Sequence, residues 1–316
     1  MRRIVFCAVL ALAATSAGAQ SWPTKTVHII CTLGAGSATD ILARTLAERL
    51  AAQLGQPVIV ENRPGASTTL GAGVVAKAEP DGHTILFTSS AHTVAPFVFP
   101  SLPYDTERDL AAVTTMANLP TILVVSPAKG YRSVQDLVAA AKAKPGSINY
   151  ASAAASTQLN AERFRRSAGF EAVHVPFKGA PEALNEIVAG RVDFYFTPIA
   201  PALPLLRDGK LRALAVGSAK RSSLLPDLPT TNEAGFPESD YNFWVGLFVP
   251  AKTPRDIVNR LHRESAAALE RPEVRERISK LGAEPTTMTP EQFAAYIHDE
   301  LRANAVLVKQ AGITGG

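Results

Sequence analysis

The chain holds two cysteines in 316 residues, and Cys7 falls in an N-terminal apolar run that reads as a leader. That leaves Cys31 alone in the mature protein, which excludes an internal disulfide and any thiolate metal cluster. Cys31 sits in an apolar run and reads as a small buried hydrophobe. Of the six histidines, His28, His83, His92, His174, His262 and His298, none pairs with another at metal-ligand spacing. Charge of one sign is scarce too. Lys and Arg outnumber Asp and Glu by only 32 to 28, which gives no reason to expect nucleic acid or a membrane surface as partner. Beyond the leader there is no run of eighteen apolar residues and so no candidate span. No Gly-Lys-Ser/Thr follows a glycine loop, no Gly-x-Ser-x-Gly elbow occurs, and no low-complexity tract or internal repeat is evident.

What is present begins with that leader. Arg2 and Arg3 precede the apolar stretch Ile4 to Ala14, and Ala17-Gly18-Ala19 fits a signal-peptidase site. The expectation is a cleaved secretory peptide ending at Ala19 and a mature protein in the periplasm. About 297 residues follow, enough for two ordinary domains.

Short apolar runs alternate with helical patterns over the first two-thirds of the chain. Strands are expected at Val27–Cys31, Pro57–Val60, Thr84–Thr88, Ile122–Ser126, Asn149–Ser152, Ala172–Pro176, Val192–Phe196 and Ala213–Ser218. Leu42, Leu46, Leu50 and Leu54 recur at helical spacing before the stop signal Gly55. Ser133 and Asp136 outline a capping box. Further helices are expected at Gln158–Ser167, Glu182–Ala189 and Pro201–Asp208. Pro254, Pro272 and Pro290 each mark the start of one of three C-terminal helices, proline being suited to the first helical position. The pattern predicts an α/β protein with mostly parallel sheets, two domains, a central cleft, and C-terminal helices returning to the first domain.

The richest chemistry lies at the strand–helix junctions. Val27–Cys31 runs through Leu33-Gly34-Ala35-Gly36-Ser37-Ala38-Thr39-Asp40 into a helix, offering unpaired N–H groups and the positive end of a helix dipole to an anion. The third glycine of a dinucleotide fingerprint is missing there. Asp40 reads first as a cap of that helix and second as a catalytic carboxylate. Similar junctions recur at Gly65-Ala66-Ser67-Thr68-Thr69, at Ser89-Ser90, at Ser152-Ala153-Ala154-Ala155-Ser156-Thr157 and at Lys178-Gly179-Ala180. Lys178 reads equally as a cleft or a surface residue, and Arg63 as an anion ligand or a turn clasp. Small residues admit a ligand close to the backbone, and hydroxyls donate and accept. The expected activity is binding of a small anion without chemistry. The alternative is an exported hydrolase or lyase acting on a small acid, for which no nucleophile–base pair is evident.

Several segments in order carry a resemblance: Val60-Glu61-Asn62-Arg63-Pro64-Gly65-Ala66, Ala76-Lys77-Ala78-Glu79-Pro80-Asp81-Gly82, Leu102-Pro103-Tyr104-Asp105, His174-Val175-Pro176-Phe177-Lys178-Gly179 and Leu225-Pro226-Asp227-Leu228-Pro229-Thr230. Together they resemble the Bug-type periplasmic solute-binding receptors of tripartite tricarboxylate transporters, over essentially the whole mature chain. The resemblance implies a flytrap of two α/β domains, residues 20–121 with 246–316 and residues 122–245, closing on a carboxylate. It implies a monomer with no cofactor and no metal, serving a membrane permease. Carried onto this chain, the ligand-binding set is Leu33, Ala35, Gly36, Ser37, Thr39 and Asp40 from the first loop, Ala66 and Ser67 from the second, and Ser89 and Ser90 from the third. From the second domain it adds Ser152, Ala153, Ser156, Thr157, Lys178, Gly179 and Thr197. Leu33 stands where the family carries phenylalanine, and Ser37, Ser67 and Thr68 stand at family glycines, so the pocket is expected to be smaller and richer in hydroxyls.

Overall fold

The computed structural model describes residues 22–99, 101–311 and 313; the expected signal peptide lies outside them. The strands form two sheets. Strands β1 (Val27–Cys31), β2 (Val58–Asn62), β3 (Thr84–Ser89), β4 (Leu110–Asn118), β10 (Trp244–Pro250) and β11 (Glu284–Pro285) form a six-stranded sheet in the order β11-β4-β10-β3-β1-β2. Strands β5 (Thr121–Val125), β6 (Asn149–Ser152), β7 (Val173–Pro176), β8 (Phe194–Pro198) and β9 (Arg212–Val216) form a second, in the order β7-β6-β8-β5-β9.

Local sequence explains the elements that place the site. Four of the five residues of β1 are buried, as suits a strand covered on both faces. Helix α1 (Ala38–Leu54) starts where Ser37 Oγ accepts the Asp40 N–H at 3.2 Å and ends at Gly55, whose φ of 69° closes the last turn. Its Leu42, Leu46, Leu50 and Leu54 are buried on the first sheet. Helices α2 (Thr69–Ala76) and α3 (Ala91–Val98) follow β2 and β3. In the second lobe α4 (Val134–Ala143) carries the expected Ser133–Asp136 capping box, and α5 (Ala155–Ala168), α6 (Ala180–Val188) and α7 (Ile199–Arg207) follow β6, β7 and β8. The three C-terminal helices are α8 (Arg255–Leu269), α9 (Pro272–Lys280) and α10 (Pro290–Ala311).

The expectation of mostly parallel sheets is corrected. Strands β1, β2 and β3 run parallel, as do β6, β7 and β8, but β10 runs antiparallel to β3 and β4, β5 antiparallel to β8 and β9, and the short β11 antiparallel to β4. Strands β5 and β10 are those by which the chain enters from the other sheet, so no crossover helix sets their direction. β4 ends at Asn118 and β5 begins at Thr121; the return crossing lies beside it, with the Leu119 N–H donating to Phe243 O and the Gly217 N–H to Thr121 O, both at 2.7 Å. Strands β4 and β10 and helices α2 and α3 fall outside the expected alternation. Glycine in Thr69-Leu70-Gly71-Ala72-Gly73 and Pro96 within α3 weaken the helical signal of those two.

Helix α10 ties the halves together. Phe293, Ile297 and Leu301 pack with Trp244 and Phe248 of β10, and Val308 and Ala311 join Val94 and Val98 of α3 and Ala155 and Leu159 of α5 in one apolar seam. Beside that seam the half-buried Glu300 carboxylate accepts from Tyr296 Oη at 2.7 Å and from Thr93 Oγ1 and Trp244 Nε1 at 2.8 Å. Burial holds its pKa up, against those three bonds.

Candidate functional site

The ends of β1, β6, β7 and β8 lead directly into α1, α5, α6 and α7, and all four helix starts meet between the sheets. They enclose a small chamber of about 20 Å³. The first lobe supplies Leu33, Ser37, Ala38 and Thr39. The second supplies Ala153, Ala154, Thr157, Gly179, Ala180, Tyr195, Pro198 and Pro201, and Phe243 of the return crossing closes it. Among the described residues no carboxylate or ammonium lines it, so the positive ends of helices of 17, 14, 9 and 9 residues set its potential. The lobes approach closely here: a Cβ added at Gly34 would lie 3.9 Å from Lys178 O.

Hydrogen bonds hold the walls of this chamber. Asp40 does not reach the chamber. Its carboxylate accepts from the Gly36 N–H at 3.0 Å, from Asn62 Nδ2 at 2.8 Å and from Arg44 Nε at 3.2 Å. Burial pushes its pKa up, but the bonds from Asn62, Arg44 and Gly36 outweigh burial and hold it below the usual carboxylate range. Asn62 also donates to Leu33 O at 2.9 Å, so the end of β2 fastens the first loop. In the second lobe Thr157 Oγ1 accepts from the N–H groups of Ala153 and Ala154 at 3.1 and 3.2 Å.

Leu33, Ala153 and Ala154 are shared with a larger outer cleft of about 550 Å³. The first lobe contributes Thr32, Gly65 to Thr68, Val98 and Phe99; the second contributes Ser152, Gln158, His174, Pro176, Phe177, Lys178 and Glu182. His174 Nε2 lies 2.6 Å from Ser152 Oγ, and Gln158 Nε2 lies 3.3 Å from His174 Nδ1. The imidazole stacks on Tyr150 at 5.1 Å, and Tyr150 donates to Glu162 at 2.5 Å. Burial lowers the pKa of His174, with the Glu162 charge acting the other way, so the ring is neutral at neutral pH.

Of the residues expected at the site, Leu33, Ser37, Thr39, Ala66, Ser67, Ser152, Ala153, Thr157, Lys178 and Gly179 line one or both chambers. Ala35 and Gly36 lie on the exposed rim, and Asp40 is the clamp just described. Ser89 Oγ accepts from the Ala91 N–H at 3.4 Å, Thr197 Oγ1 donates to Pro198 O at 3.2 Å, and the hydroxyls of Ser90 and Ser156 are buried without a partner; none of the four lines a chamber. Gln158 and His174 also line the outer cleft and were not among the expected site residues, and Thr68 was expected there only as a replacement of a family glycine. His174 stood in the segment that carried the resemblance, but its approach to Ser152 depends on the parallel pairing Ser152↔Pro176 and Tyr150↔His174 of β6 and β7.

Two α/β lobes with a cleft at the carboxyl ends of their strands and helix N-termini aimed into it define a solute-binding protein of the periplasmic type. Residues 42–313 match the model of the tripartite tricarboxylate transporter family receptor, and the chain belongs to that family. It is 34% identical over 312 residues to the protein BugT of Bordetella pertussis, covering 98% of this chain and 95% of that one. A protein of R. palustris solved with adipate superposes with a TM-score of 0.89 at 32% identity, covering 93% of this chain and 100% of that one. MatC of Rhodopseudomonas palustris, solved with bound malate, gives a TM-score of 0.86 at 31% identity, covering 91% and 100%.

Proposed function

We propose that this protein is an extracytoplasmic receptor that captures a small carboxylate-bearing organic anion between its lobes and delivers it to a membrane permease of the tripartite tricarboxylate type. One observation carries the reading: four helix N-termini converge on a chamber whose lining has no carboxylate and no ammonium group. Such a site attracts an anion through backbone dipoles and excludes competing carboxylates of the protein itself. The adipate and malate of the two R. palustris structures support the same ligand class. The leader ending at Ala19 supports export to the periplasm. The lobes comprise residues 20–121 with 246–316 and residues 122–245, and the receptor acts as a monomer without cofactor.

The contact between Ser152 and His174 favours a second reading, a hydrolase in the cleft. The roles of the two ring nitrogens follow the orientation of the Gln158 amide: with its Nε2 donating to Nδ1 the ring carries its proton on Nε2 and donates to Ser152 Oγ, and with its oxygen facing the ring Nε2 accepts from the serine instead. Thermal unfolding with a panel of C4–C8 carboxylates tests the receptor reading. A ligand at about a hundred times its Kd should add roughly 2.7 kcal/mol of stability, with the carboxylate recovered unchanged. Turnover of esters or acids, abolished in Ser152→Ala, would replace the receptor with the hydrolase.

A further inference from the structure

Every residue of β8 is buried, and its side chains alternate between two packed faces. Phe194 and Phe196 pack with Phe164 and Phe170 on one face, whereas Tyr195 packs with Ala151, Ala180, Ala183 and Ile199 on the other. The three alanines leave room for its ring beneath the starts of α6 and α7, and the side chain lines the inner chamber. Four side-chain hydroxyls line that chamber, those of Ser37, Thr39, Thr157 and Tyr195. Ser37 Oγ already accepts the Asp40 N–H, and Thr157 Oγ1 accepts two N–H groups and donates to Ala154 O at 2.9 Å. Tyr195 Oη has no hydrogen-bond partner among the described residues, yet it is not sealed off as the hydroxyls of Ser90 and Ser156 are. The space it opens onto is the inner chamber. Thr157 and Thr197 stand beside the phenol, but Thr197 gives its proton to Pro198 O as Thr157 does to Ala154 O. Burial pushes the phenol pKa up, so it remains a neutral donor at neutral pH.

We propose that Tyr195 is a ligand-binding residue of the inner chamber, its O–H donating from the second sheet to an oxygen of the carboxylate that enters there. It does what was expected of Thr197. The two residues share a face of β8, but the Thr197 hydroxyl is spent on main chain and lines neither chamber. The helix starts offer the carboxylate backbone donors and a dipole, and the phenol adds a side-chain donor without adding charge. Tyr195 therefore reads the head group and is indifferent to the tail in the outer cleft. This inference rests on the receptor reading above.

Calorimetric titration of the mature protein with the same C4–C8 carboxylates, adipate and malate among them, tests it. Tyr195→Phe keeps the ring and removes only the oxygen. It should weaken every carboxylate that the native protein binds by about tenfold or more, leaving their ranking unchanged. Its Tm without ligand should equal the native value, because the lost O–H bonds no protein group. Thr197→Val should bind as the native protein does. Binding should also give the native protein a tyrosine ultraviolet difference band that Tyr195→Phe lacks. Native affinity in Tyr195→Phe overturns the proposal. A loss confined to one carboxylate overturns it too, by placing the phenol at a tail, and so does a lower Tm without ligand, the mark of a structural tyrosine. In each of these cases carboxylate binding itself stands. No binding of any of the panel by the native protein overturns this inference and the receptor reading together.

Discussion

The two loops that the first sheet offers to the cleft are built in opposite ways. The loop from Leu33 to Ser37 is satisfied within itself: Asp40 collects Gly36, Asn62 and Arg44, Asn62 holds Leu33 O, and Ser37 caps the helix. The loop from Gly65 to Thr68 carries three left-handed non-glycine residues and a buried hydroxyl with no partner. A hydroxyl that closes a helix turn is engaged within the fold, whereas one forced off its turn is left without a partner.

Acid should probe the first loop and leave the second untouched, since Gly65-Ala66-Ser67-Thr68 has no titratable side chain. The largest acid effect belongs to neither loop. His92 is fully buried with both ring nitrogens unpartnered, and burial lowers its pKa from 6.5 to about 4. As pH falls from 6.5 to about 4 the unfolded chain takes up a proton that the native chain refuses, so stability should drop by roughly 3 kcal/mol and level off below. Urea unfolding at stepped pH should show this limb, and His92→Phe should flatten it. Asp40 has the ordinary acidic sign: its stabilisation is complete above its ordinary pKa of 3.8 and is lost as pH falls through its lower native value. If Asp40→Ala, rather than His92→Phe, removed the limb between pH 6.5 and 4, the first loop would be the acid-sensitive element and the contrast would fail.

At neutral pH Asp40→Ala should cost about 2–3 kcal/mol by urea unfolding, because several charge-assisted bonds vanish at once. It should also speed amide exchange at Gly36. Thr68→Gly moves the other way. Relief of one left-handed threonine should add about 1–2 kcal/mol in the absence of ligand, visible as a higher Tm. A loss of stability there would mean the second loop is no more strained than the first. The smallest effect is expected for Ser37→Ala, about 1 kcal/mol by urea unfolding from the lost cap.

Much of the scaffold was legible because its signals are local. The Leu42-Leu46-Leu50-Leu54 spacing, the Ser133–Asp136 box and the prolines at 254, 272 and 290 each act within a turn or two of chain, and each marks a helix that forms. The antiparallel crossings β5 and β10 were not legible, since strand direction is set by partners far along the chain. In the site, the hydroxyl-rich junctions marked loops that line the two chambers but could not rank their residues. Ser89 and Thr197 read like Ser152 in sequence, yet their hydroxyls bond main chain beside them while Ser152 meets His174 across two paired strands.

The sequence by itself determined the alternation of strands and helices and the glycine- and hydroxyl-rich loops at their junctions, because propensity, capping and hydrophobic period are properties of neighbouring residues. Only the tertiary structure decided which hydroxyls are paired and which are left buried without a partner. That depends on whether each one's local partner is within reach after the lobes pack, and at Thr68 the backbone turns it away.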